Sequence, residues 1–499
     1  MDDNKQLTRG AGILMAISSL PSSYGIGTLG AAAYSFVDML VDLKQRYWQI
    51  LPIGPTSFGN SPYQALSAFA GNSYLIDLDD LSNQGLLTQK EIRSFEWGSN
   101  DGDIDYSTMY HNRTQVLKIA YSRFAPDKAD YNRFLEANSY WLDDYAMYRA
   151  LKEYHGDREW TSWKEEYRDR NPQAIKDISR ELADNIDFYK FCQYEFDMQW
   201  RKLIEYANSR GIQIIGDIPL YVAADSADVW AHRKSFQLNE DGTAKLVSAV
   251  PADAFSSTGQ IWGNPIYDWD AMCSDGYTWW KARVSQASKL YNVVRLDHFI
   301  GVVKYYAVNA NSSNTANGKW HKGPGRKFLD AITPSFGSAQ IIIDDAGPKT
   351  VVPGVKKLVE KSGFASCRIM LLGWDADTDS ENLPHNYATN NQVVYTTTHD
   401  TETATGYVND RTDAELEYLC DYMGVSDKDS LPDAMIRLAY GCSANVAIIS
   451  MQDLLGLGNE ARMNAPSTVG GNWQWRLSQN NLLKERCDWI RKLAYTYRR

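Results

Sequence analysis

The chain has 499 residues, 44% of them hydrophobic, which is enough for one large barrel with insertions or for two or three domains of average size. Its formal net charge is −11 at pH 7, and lysine and arginine form no cluster along it. A protein that grips a phosphate backbone needs such a basic surface, so the sequence excludes nucleic acid as an expected partner.

The N-terminal residues, the apolar runs and the cysteines indicate the cellular compartment that we expect for the protein. Residues 1–10 are polar and lack the apolar core of a signal peptide, and no later run approaches the roughly 20 apolar residues that would span a bilayer. We therefore expect a cytoplasmic protein that does not enter a membrane. The six cysteines include no CxxC pair, which argues against a zinc site and against a disulfide framework. They are Cys192, Cys273, Cys367, Cys420, Cys442 and Cys487.

Eight short apolar runs, each ended by glycine, proline or a polar break, predict eight strands. They lie at 13–18, 47–53, 212–222, 292–299, 341–345, 368–374, 393–398 and 445–451. Their hydrophobicity is continuous rather than alternating, which is typical of parallel strands that are buried on both faces. Helix-periodic stretches such as 31–43, 353–361 and 413–423 separate most of them. The order β-then-α predicts an α/β fold, a (β/α)₈ TIM barrel with further loop insertions.

The long gap between the second and third strands predicts a helical insertion at about 87–210, which is polar, aromatic and helix-periodic. We expect it to be a subdomain on the barrel rather than an independent domain, because the third strand resumes only at Ile212. The prediction is a single catalytic barrel domain over residues 1–499.

Acidic residues fall at or just after the ends of four predicted strands. They are Asp217 in IIGDIP, Asp297 in VVRLDHF, Asp344 and Asp345 in IIIDDAG, and Asp400 in YTTTHD. Active sites of TIM barrels are built at this end of the strands. A doubly wound open sheet is the alternative fold, but no GxGxxG or GxxxxGK[ST] motif follows any strand.

Several acids on one rim, with no cofactor motif and no metal-spaced His/Cys cluster, suggest glycoside chemistry. A retaining enzyme needs two carboxyl groups about 5–5.5 Å apart, one as the nucleophile and one as the proton donor and base. The chain is also 12% aromatic, with 16 tryptophans and 31 tyrosines. Such rings pack against the flat faces of sugars while their polar tips reach hydroxyl groups.

Seven blocks of sequence resemble one family. They are RGAGILMAISSLPSSYGIGTLG, YWQILPIGPTSFGNSPYQALSAFAGNSYLID, GDIPLYVAADSADVW, GQIWGNPIYDW, RLDHFIG, THDTET and ARMNAPSTVGGNWQWR. In this order, from Arg9 to Arg476, they look like the signature blocks of the amylomaltases or disproportionating enzymes, the 4-α-glucanotransferases of glycoside hydrolase family 77 in the α-amylase clan. The resemblance implies a barrel that rearranges maltooligosaccharides and α-1,4-glucans without a metal or an organic cofactor.

Matched residue by residue, the resemblance implies that Asp297 is the nucleophile and that Arg295 holds it ionised. A nearby cation lowers the pKa of an aspartate, and its fork of donors fixes the rotamer. Asp400 would stabilise the transition state, and His399 would bond hydroxyls of the reacting ring. The other residues implied to position substrate are Ser61, Tyr63, Asp217, Gln260, Trp262, His385 and Asn464.

The sequence departs from the family pattern near the expected site. The family's fifth strand usually ends AEDLG with a glutamate as the acid/base, whereas Asp344 stands in its place here. Losing one methylene withdraws the carboxyl by roughly 1.5 Å, and misplacements near 1 Å can cost on the order of 100-fold in rate. Ile300 stands where arginine is typical, Ala254 replaces an aromatic residue, and Ala224 replaces histidine or tyrosine. The sixth strand reads MLLGWD instead of LQFAF.

Three functions therefore remain open at this stage. The first is a 4-α-glucanotransferase that passes a glycosyl unit from Asp297 to another sugar's 4-hydroxyl, with reduced activity because of Asp344. The second is a glucan-binding protein with little or no turnover. The third is an α-glucan hydrolase, which the loss of the aromatic residue at Ala254 in the covering loop would favour, because transfer requires that water be kept out.

Overall fold

A computed structural model describes residues 6–57, 59–98, 102–252, 256–346, 351–374, 380–478 and 484–499. The strands within these ranges are β1 Gly10–Leu14, β2 Tyr47–Gln49, β3 Gln213–Pro219, β4 Leu246–Val250, β5 Gln260–Pro265, β6 Val293–Asp297, β7 Lys304–Asn309, β8 Lys319–Lys322, β9 Gln340–Ile343, β10 Ala365–Ile369, β11 Gln392–Tyr395 and β12 Val446–Ser450. The α-helices are α1 Ala31–Asp42, α2 Leu78–Asn83, α3 Gln89–Ile92, α4 Tyr106–Tyr121, α5 Lys128–Tyr154, α6 Glu165–Arg168, α7 Pro172–Glu181, α8 Ala183–Ser209, α9 Ala227–Ala231, α10 Trp269–Ser274, α11 Thr278–Leu290, α12 Gly325–Ile332, α13 Val352–Ser362, α14 Ala404–Asn409, α15 Asp413–Met423, α16 Leu431–Gly441, α17 Met451–Leu455 and α18 Lys484–Thr496.

Eight of the strands close into a parallel barrel in the order β1-β12-β11-β10-β9-β6-β3-β2, with β2 returning to β1. Every residue of β1 and β12 is buried, as continuous hydrophobicity predicts for strands covered on both faces. The predicted TIM barrel is thus confirmed. Its C-terminal rim carries the ends of β3, β6 and β9, which are neighbours in the sheet.

The predicted helices are also present. The stretch 31–43 is α1, 353–361 is α13 and 413–423 is α15. α15 begins with a capping box, in which the Thr412 side chain accepts from the Glu415 amide and the Glu415 carboxylate accepts from the Thr412 amide. Gly424 ends α15 at φ 67°, a conformation that glycine adopts at little cost.

The strands are shorter than the apolar runs that predicted them. The stretch 368–374 is also displaced, since β10 occupies Ala365–Ile369 and Met370–Gly373 forms a 3₁₀ turn. Met370, Leu371 and Trp374 are nevertheless buried, because they pack in a hydrophobic cluster with residues of the neighbouring strands. Hydrophobicity marks burial, and it does not separate a strand from a buried turn that continues it.

Two additions stand beside the barrel. Helices α3 to α8 lie between β2 and β3, and the 27-residue helices α5 and α8 pack against each other. α8 also contacts α1 and β3, so it covers the outside of the barrel as a barrel helix would.

A second, four-stranded antiparallel sheet has the order β5-β4-β7-β8. It brings β5 to the site at the C-terminal rim that is described next.

Candidate active site

Arg295 lies at the centre of the site and contacts three carboxylates. Its Nη1 donates to Asp217 Oδ2 at 2.5 Å and to Asp297 Oδ1 at 2.8 Å, and its Nη2 donates to Asp344 Oδ2 at 2.9 Å. Arg295 and Asp297 are two residues apart on β6 and therefore share a face. Asp217 on β3 is the register partner of Arg295, and Asp344 directly follows β9. The parallel register thus places one cation among three acids.

The exposure of these side chains separates them into two groups. The side chain of Asp217 is 0% exposed and that of Arg295 is 7% exposed, whereas Asp297 is 22% and Asp344 is 18% exposed. Asp217 is therefore a buried partner of the guanidinium and of the Tyr63 hydroxyl, which donates to it at 2.8 Å. Asp297 and Asp344 are the carboxylates of this group that line the cleft and stay partly exposed.

Burial raises the pKa of Asp297 to about 7, because it disfavours the charged form. Arg295 lowers this pKa, but the carboxylates of Asp217, Asp344 and Asp400 raise it further. Arg295 therefore acts on Asp297 in the predicted direction, while burial and the neighbouring acids act against it; that Arg295 holds Asp297 ionised stays a prediction. Arg295 nevertheless fixes the orientation of the Asp297 carboxylate through a charge-assisted hydrogen bond.

The surroundings of Asp400 lower its pKa, whereas those of Asp297 raise the pKa of that residue. Asn464 Nδ2 donates to its Oδ1 at 2.6 Å, His399 Nε2 lies 3.1 Å from its Oδ2, and Arg462 donates to its backbone carbonyl. Burial raises the pKa of Asp400, but His399 and the Asn464 hydrogen bond lower it more, to about 2. The pKa of His399 is correspondingly raised, since the attraction of Asp400 exceeds the effect of burial. Asp400 therefore lines the cleft among neighbours that favour its charged form.

Two aromatic side chains flank these acids. The Tyr63 ring stacks on the His399 ring with a centroid distance of 5.1 Å and an interplanar angle of 15°. The Trp262 ring meets the His298 ring edge to face, at 4.6 Å and 86°. Each aromatic residue therefore rests on a histidine that is the chain neighbour of a cleft aspartate, Asp400 in one case and Asp297 in the other.

The acids open into a cleft of about 1080 Å³. Among the predicted site residues, its lining includes Ser61, Tyr63, Gln260, Trp262, Arg295, Asp297, Asp344, Asp400 and Asn464. Two predicted residues lie behind this lining, since Asp217 and His399 are buried beneath it. His385 is exposed outside the lining and contacts the Tyr422 hydroxyl at 2.7 Å. Its role as a substrate ligand stays a prediction, to which this placement adds no support.

Four aromatic side chains that line the cleft were not predicted from the sequence: Tyr221, His298, Trp320 and Trp473. Trp473 stands in the quoted block ARMNAPSTVGGNWQWR and packs 5.7 Å from Tyr63. Its position two residues after a pair of glycines is the signal that could have singled it out in the sequence. Trp320 lies on β8, whose place at the rim depends on the second sheet and is not visible in the sequence.

Adjacent acids of the IDDAG block have different surroundings. Asp344 accepts from Arg295 with one oxygen and from the Ala346 amide at 3.2 Å with the other. Asp345 is buried, accepts from the Cys367 amide at 3.0 Å and forms an ion pair with Arg368 at 2.9 Å. Only Asp344 thus contacts the guanidinium shared with Asp297.

The departures from the family pattern differ in their distance from this cleft. Ile300 lines it and is buried, so an apolar wall stands where the family pattern has a cation. Leu372 of the MLLGWD segment lines it too. Ala224 is exposed outside the lining, where its carbonyl accepts from the Trp160 indole. Ala254 lies outside the described residues.

Neither a metal site nor a bilayer-crossing helix emerges from the described ranges. Their His, Cys, Asp and Glu side chains nowhere form a group of three or more able to hold a metal ion. The helices observed there are all too short or too polar to cross a membrane.

A closed parallel barrel with several carboxylates and aromatic rings at its C-terminal rim defines the class of carboxylate-dependent glycoside-processing enzymes. The sequence profile described as 4-alpha-glucanotransferase matches residues 15–481. The chain therefore belongs to the 4-α-glucanotransferase family, glycoside hydrolase family 77, and it is an enzyme that transfers α-1,4-glucan segments.

Relatives match along almost the whole length. The 4-alpha-glucanotransferase of Streptococcus pneumoniae is 43% identical over 495 residues, which cover 98% of this chain and 97% of the relative. That of Clostridium butyricum is 41% identical, with 97% of this chain and 100% of the relative covered. The amylomaltase of Streptococcus agalactiae, solved in complex with acarbose, superposes with a TM-score of 0.94 at 36% identity and covers 98% of this chain and 99% of its own.

Proposed function

We propose that Asp297 is the nucleophile, Asp344 the proton donor and base, and Asp400 the stabiliser of the transition state in a retaining glucan transfer. The observation that carries this assignment is the Arg295 guanidinium, which holds Asp297 with one nitrogen and Asp344 with the other. Retaining enzymes require two carboxyls only about 5–5.5 Å apart. One guanidinium that contacts both acids favours such a close approach.

The first half of the reaction forms a covalent ester. An Asp297 oxygen attacks the anomeric carbon of the donor glucan, the glycosidic C–O bond breaks, and its oxygen takes the proton of Asp344. The charged Asp400 stabilises the positive charge that develops on the sugar ring. In the second half the 4-hydroxyl of an acceptor attacks the same carbon, Asp344 takes the hydroxyl proton, and the ester bond to Asp297 breaks.

We expect proton transfer by Asp344 to be the slow step of the reaction. Each of the Asp344 oxygens accepts one hydrogen bond, from Arg295 and from the Ala346 amide, and these contacts restrain the carboxyl as it approaches the glycosidic oxygen. Its side chain is also shorter by one methylene than the family's glutamate, a difference of roughly 1.5 Å. We infer that this enzyme turns over more slowly than relatives that carry glutamate.

The substrates that this cleft suits are maltooligosaccharides and α-1,4-glucans. Support comes from the Tyr63 and Trp262 rings beside the acids and from the superposable amylomaltase that was solved with acarbose. The six cysteines are all free thiols, which supports the cytoplasm as the compartment.

A product analysis tests the proposal. The protein is incubated with maltotriose, and the products are resolved over time. Transfer produces glucose together with a ladder of longer maltooligosaccharides. Glucose and maltose without longer products would instead identify a hydrolase, and unchanged maltotriose after prolonged incubation would contradict turnover altogether.

A further inference from the structure

A pair of side-chain amides joins the two segments that carry the aromatic rings of the cleft. Gln64 follows Tyr63 after β2, and Asn264 lies two residues beyond Trp262 on β5, 200 residues away along the chain. Gln64 Nε2 donates to Asn264 Oδ1 at 3.3 Å, and Asn264 Nδ2 donates back to Gln64 Oε1 at 3.1 Å. Gln64 Nε2 also donates to the Trp262 carbonyl at 3.1 Å.

Asn264 is the fixed half of this pair. It is 4% exposed, its Nδ2 donates to the Val222 carbonyl at 2.8 Å, and its Oδ1 accepts from the Ser248 hydroxyl at 3.1 Å. Since a carbonyl only accepts, its contact with Val222 fixes which end of the Asn264 amide is the nitrogen. Gln64 therefore meets a partner whose donor and acceptor are already oriented.

Further contacts connect each of the two rings to the proposed nucleophile, Asp297. On one side the Tyr63 hydroxyl binds Asp217, which shares Arg295 with Asp297. On the other side Trp262 packs against His298, the next residue after Asp297. The amide pair joins the segment that carries Tyr63 to the segment that carries Trp262, so the positions of the two rings depend on each other.

We propose that Gln64 and Asn264 are positioning residues that hold the Tyr63 and Trp262 rings at a fixed separation and so set the affinity of the cleft for glucan chains that touch both rings. This deepens the proposed function and rests on it. A preorganised pair of platforms binds without the cost of ordering them, whereas platforms that move independently lose that advantage.

The test compares Gln64→Ala, Asn264→Ala and the double variant on maltotriose and maltoheptaose. We expect each single variant to raise KM for maltoheptaose about fivefold to tenfold with kcat nearly unchanged, because the two rings are then no longer preorganised before the glucan binds. The double variant should resemble the single ones, because partners in one contact are not additive. Additive effects, or a loss confined to kcat, would overturn the proposal.

Two further comparisons separate positioning from other roles. If Gln64 acted only as a direct sugar ligand, the buried Asn264→Ala change would leave KM untouched, and this result would refute the proposal. If the pair acts through the aromatic platform, Gln64→Ala should change KM little when it is added to Trp262→Ala. The control is Gln45→Ala, which removes a buried amide bonded to Tyr440 away from the cleft lining and should lower stability without changing KM.

Binding is measured separately from turnover. Maltoheptaose is titrated into the Asp297→Asn form, with and without Gln64→Ala, and tryptophan fluorescence reports the affinity. We expect Gln64→Ala to weaken binding about fivefold to tenfold in this inactive background as well. An unchanged affinity would refute the positioning role even if the wild-type protein disproportionates maltotriose. If maltotriose instead stays unchanged, the proposed function fails, whatever the titration gives.

Discussion

Asp297 is the residue on which the proposed chemistry depends most directly. Asp297→Asn keeps the shape of the side chain, but an amide cannot form the glycosyl ester. We expect kcat on maltotriose to fall by about three orders of magnitude or more, while the far-ultraviolet circular dichroism and the melting temperature stay close to those of the wild type. Activity within tenfold of the wild type would remove Asp297 from the role of nucleophile.

Asp344 is the residue at which a substitution should raise activity. Asp344→Glu adds the missing methylene, so the carboxyl can extend past the Arg295 contact toward the glycosidic oxygen. We expect kcat/KM on maltotriose to rise by about 10- to 100-fold. Steady-state kinetics of the two forms provide the measurement.

The matched control for this change is Asp345→Glu, which adds the same methylene next door. Asp345 is buried against Arg368 and the Cys367 amide, so the longer side chain overpacks its site and should lower stability without raising kcat/KM. A fall or no change for Asp344→Glu would mean that the backbone already brings the shorter acid into place.

At the scale of elements, β3 illustrates how closely the barrel strands and their helices pack. A Cβ atom on Gly216 would stand 2.2 to 2.3 Å from three atoms of the buried Tyr291 ring, which follows α11. The next residue on β3 is Asp217, whose side chain points to the barrel interior and reaches Arg295. The close approach of strand and helix end at Gly216 therefore supports the position of an active-site carboxylate.

Gly216→Ala should destabilise the protein by about 1–3 kcal/mol, the usual cost of forcing extra volume into a packed core. Urea denaturation of the variant and the wild type measures the difference. Combining it with Tyr291→Leu, which opens space at the same point, should cost less than the sum of the two single changes. Additive losses would show that the Tyr291 ring is not the obstacle.

At the scale of the whole molecule, the pH dependence of activity arises from acids that four separate strands bring together. Asp297 has its pKa raised to about 7, mainly by burial and also by the neighbouring acids, and it must be ionised to attack. We therefore expect kcat/KM to decrease about tenfold for each pH unit below about 7, as the protonated fraction grows. A profile from pH 4 to 8 on maltotriose checks this slope.

Asp217→Asn tests the origin of that pKa. The change removes a negative charge that raises the pKa of Asp297 and frees Arg295 to favour the ionised form, so the acid limb should move to lower pH. Asp228→Asn is the control, because Asp228 is a buried acid that binds the Ala68 amide and the Trp279 indole instead. An acid limb that stays in place in Asp217→Asn, or that moves equally in both variants, would contradict this account.

Much of the architecture follows from sequence pattern alone. Eight continuous apolar runs separated by helix-periodic stretches were sufficient for a barrel, because strands covered on both faces leave a long hydrophobic signal. The rim acids followed from the same pattern, since they end those runs. The ends of the strands could not be predicted from this pattern, because segments such as Met370–Gly373 are as buried as the strands before them. That residues 1–499 form one domain stays a prediction.

The sequence by itself determined the family, the barrel and which acids lie at its rim, because these depend on residue types at fixed positions along the chain. Only the tertiary structure decided how those residues act on one another. It placed Arg295 among three carboxylates, it raised the pKa of Asp297 through burial and neighbouring acids, and it placed His385 outside the cleft lining. It also joined Gln64 to Asn264 across 200 residues. Burial and electrostatic interaction depend on distances in space, which neither spacing along the chain nor residue type specifies.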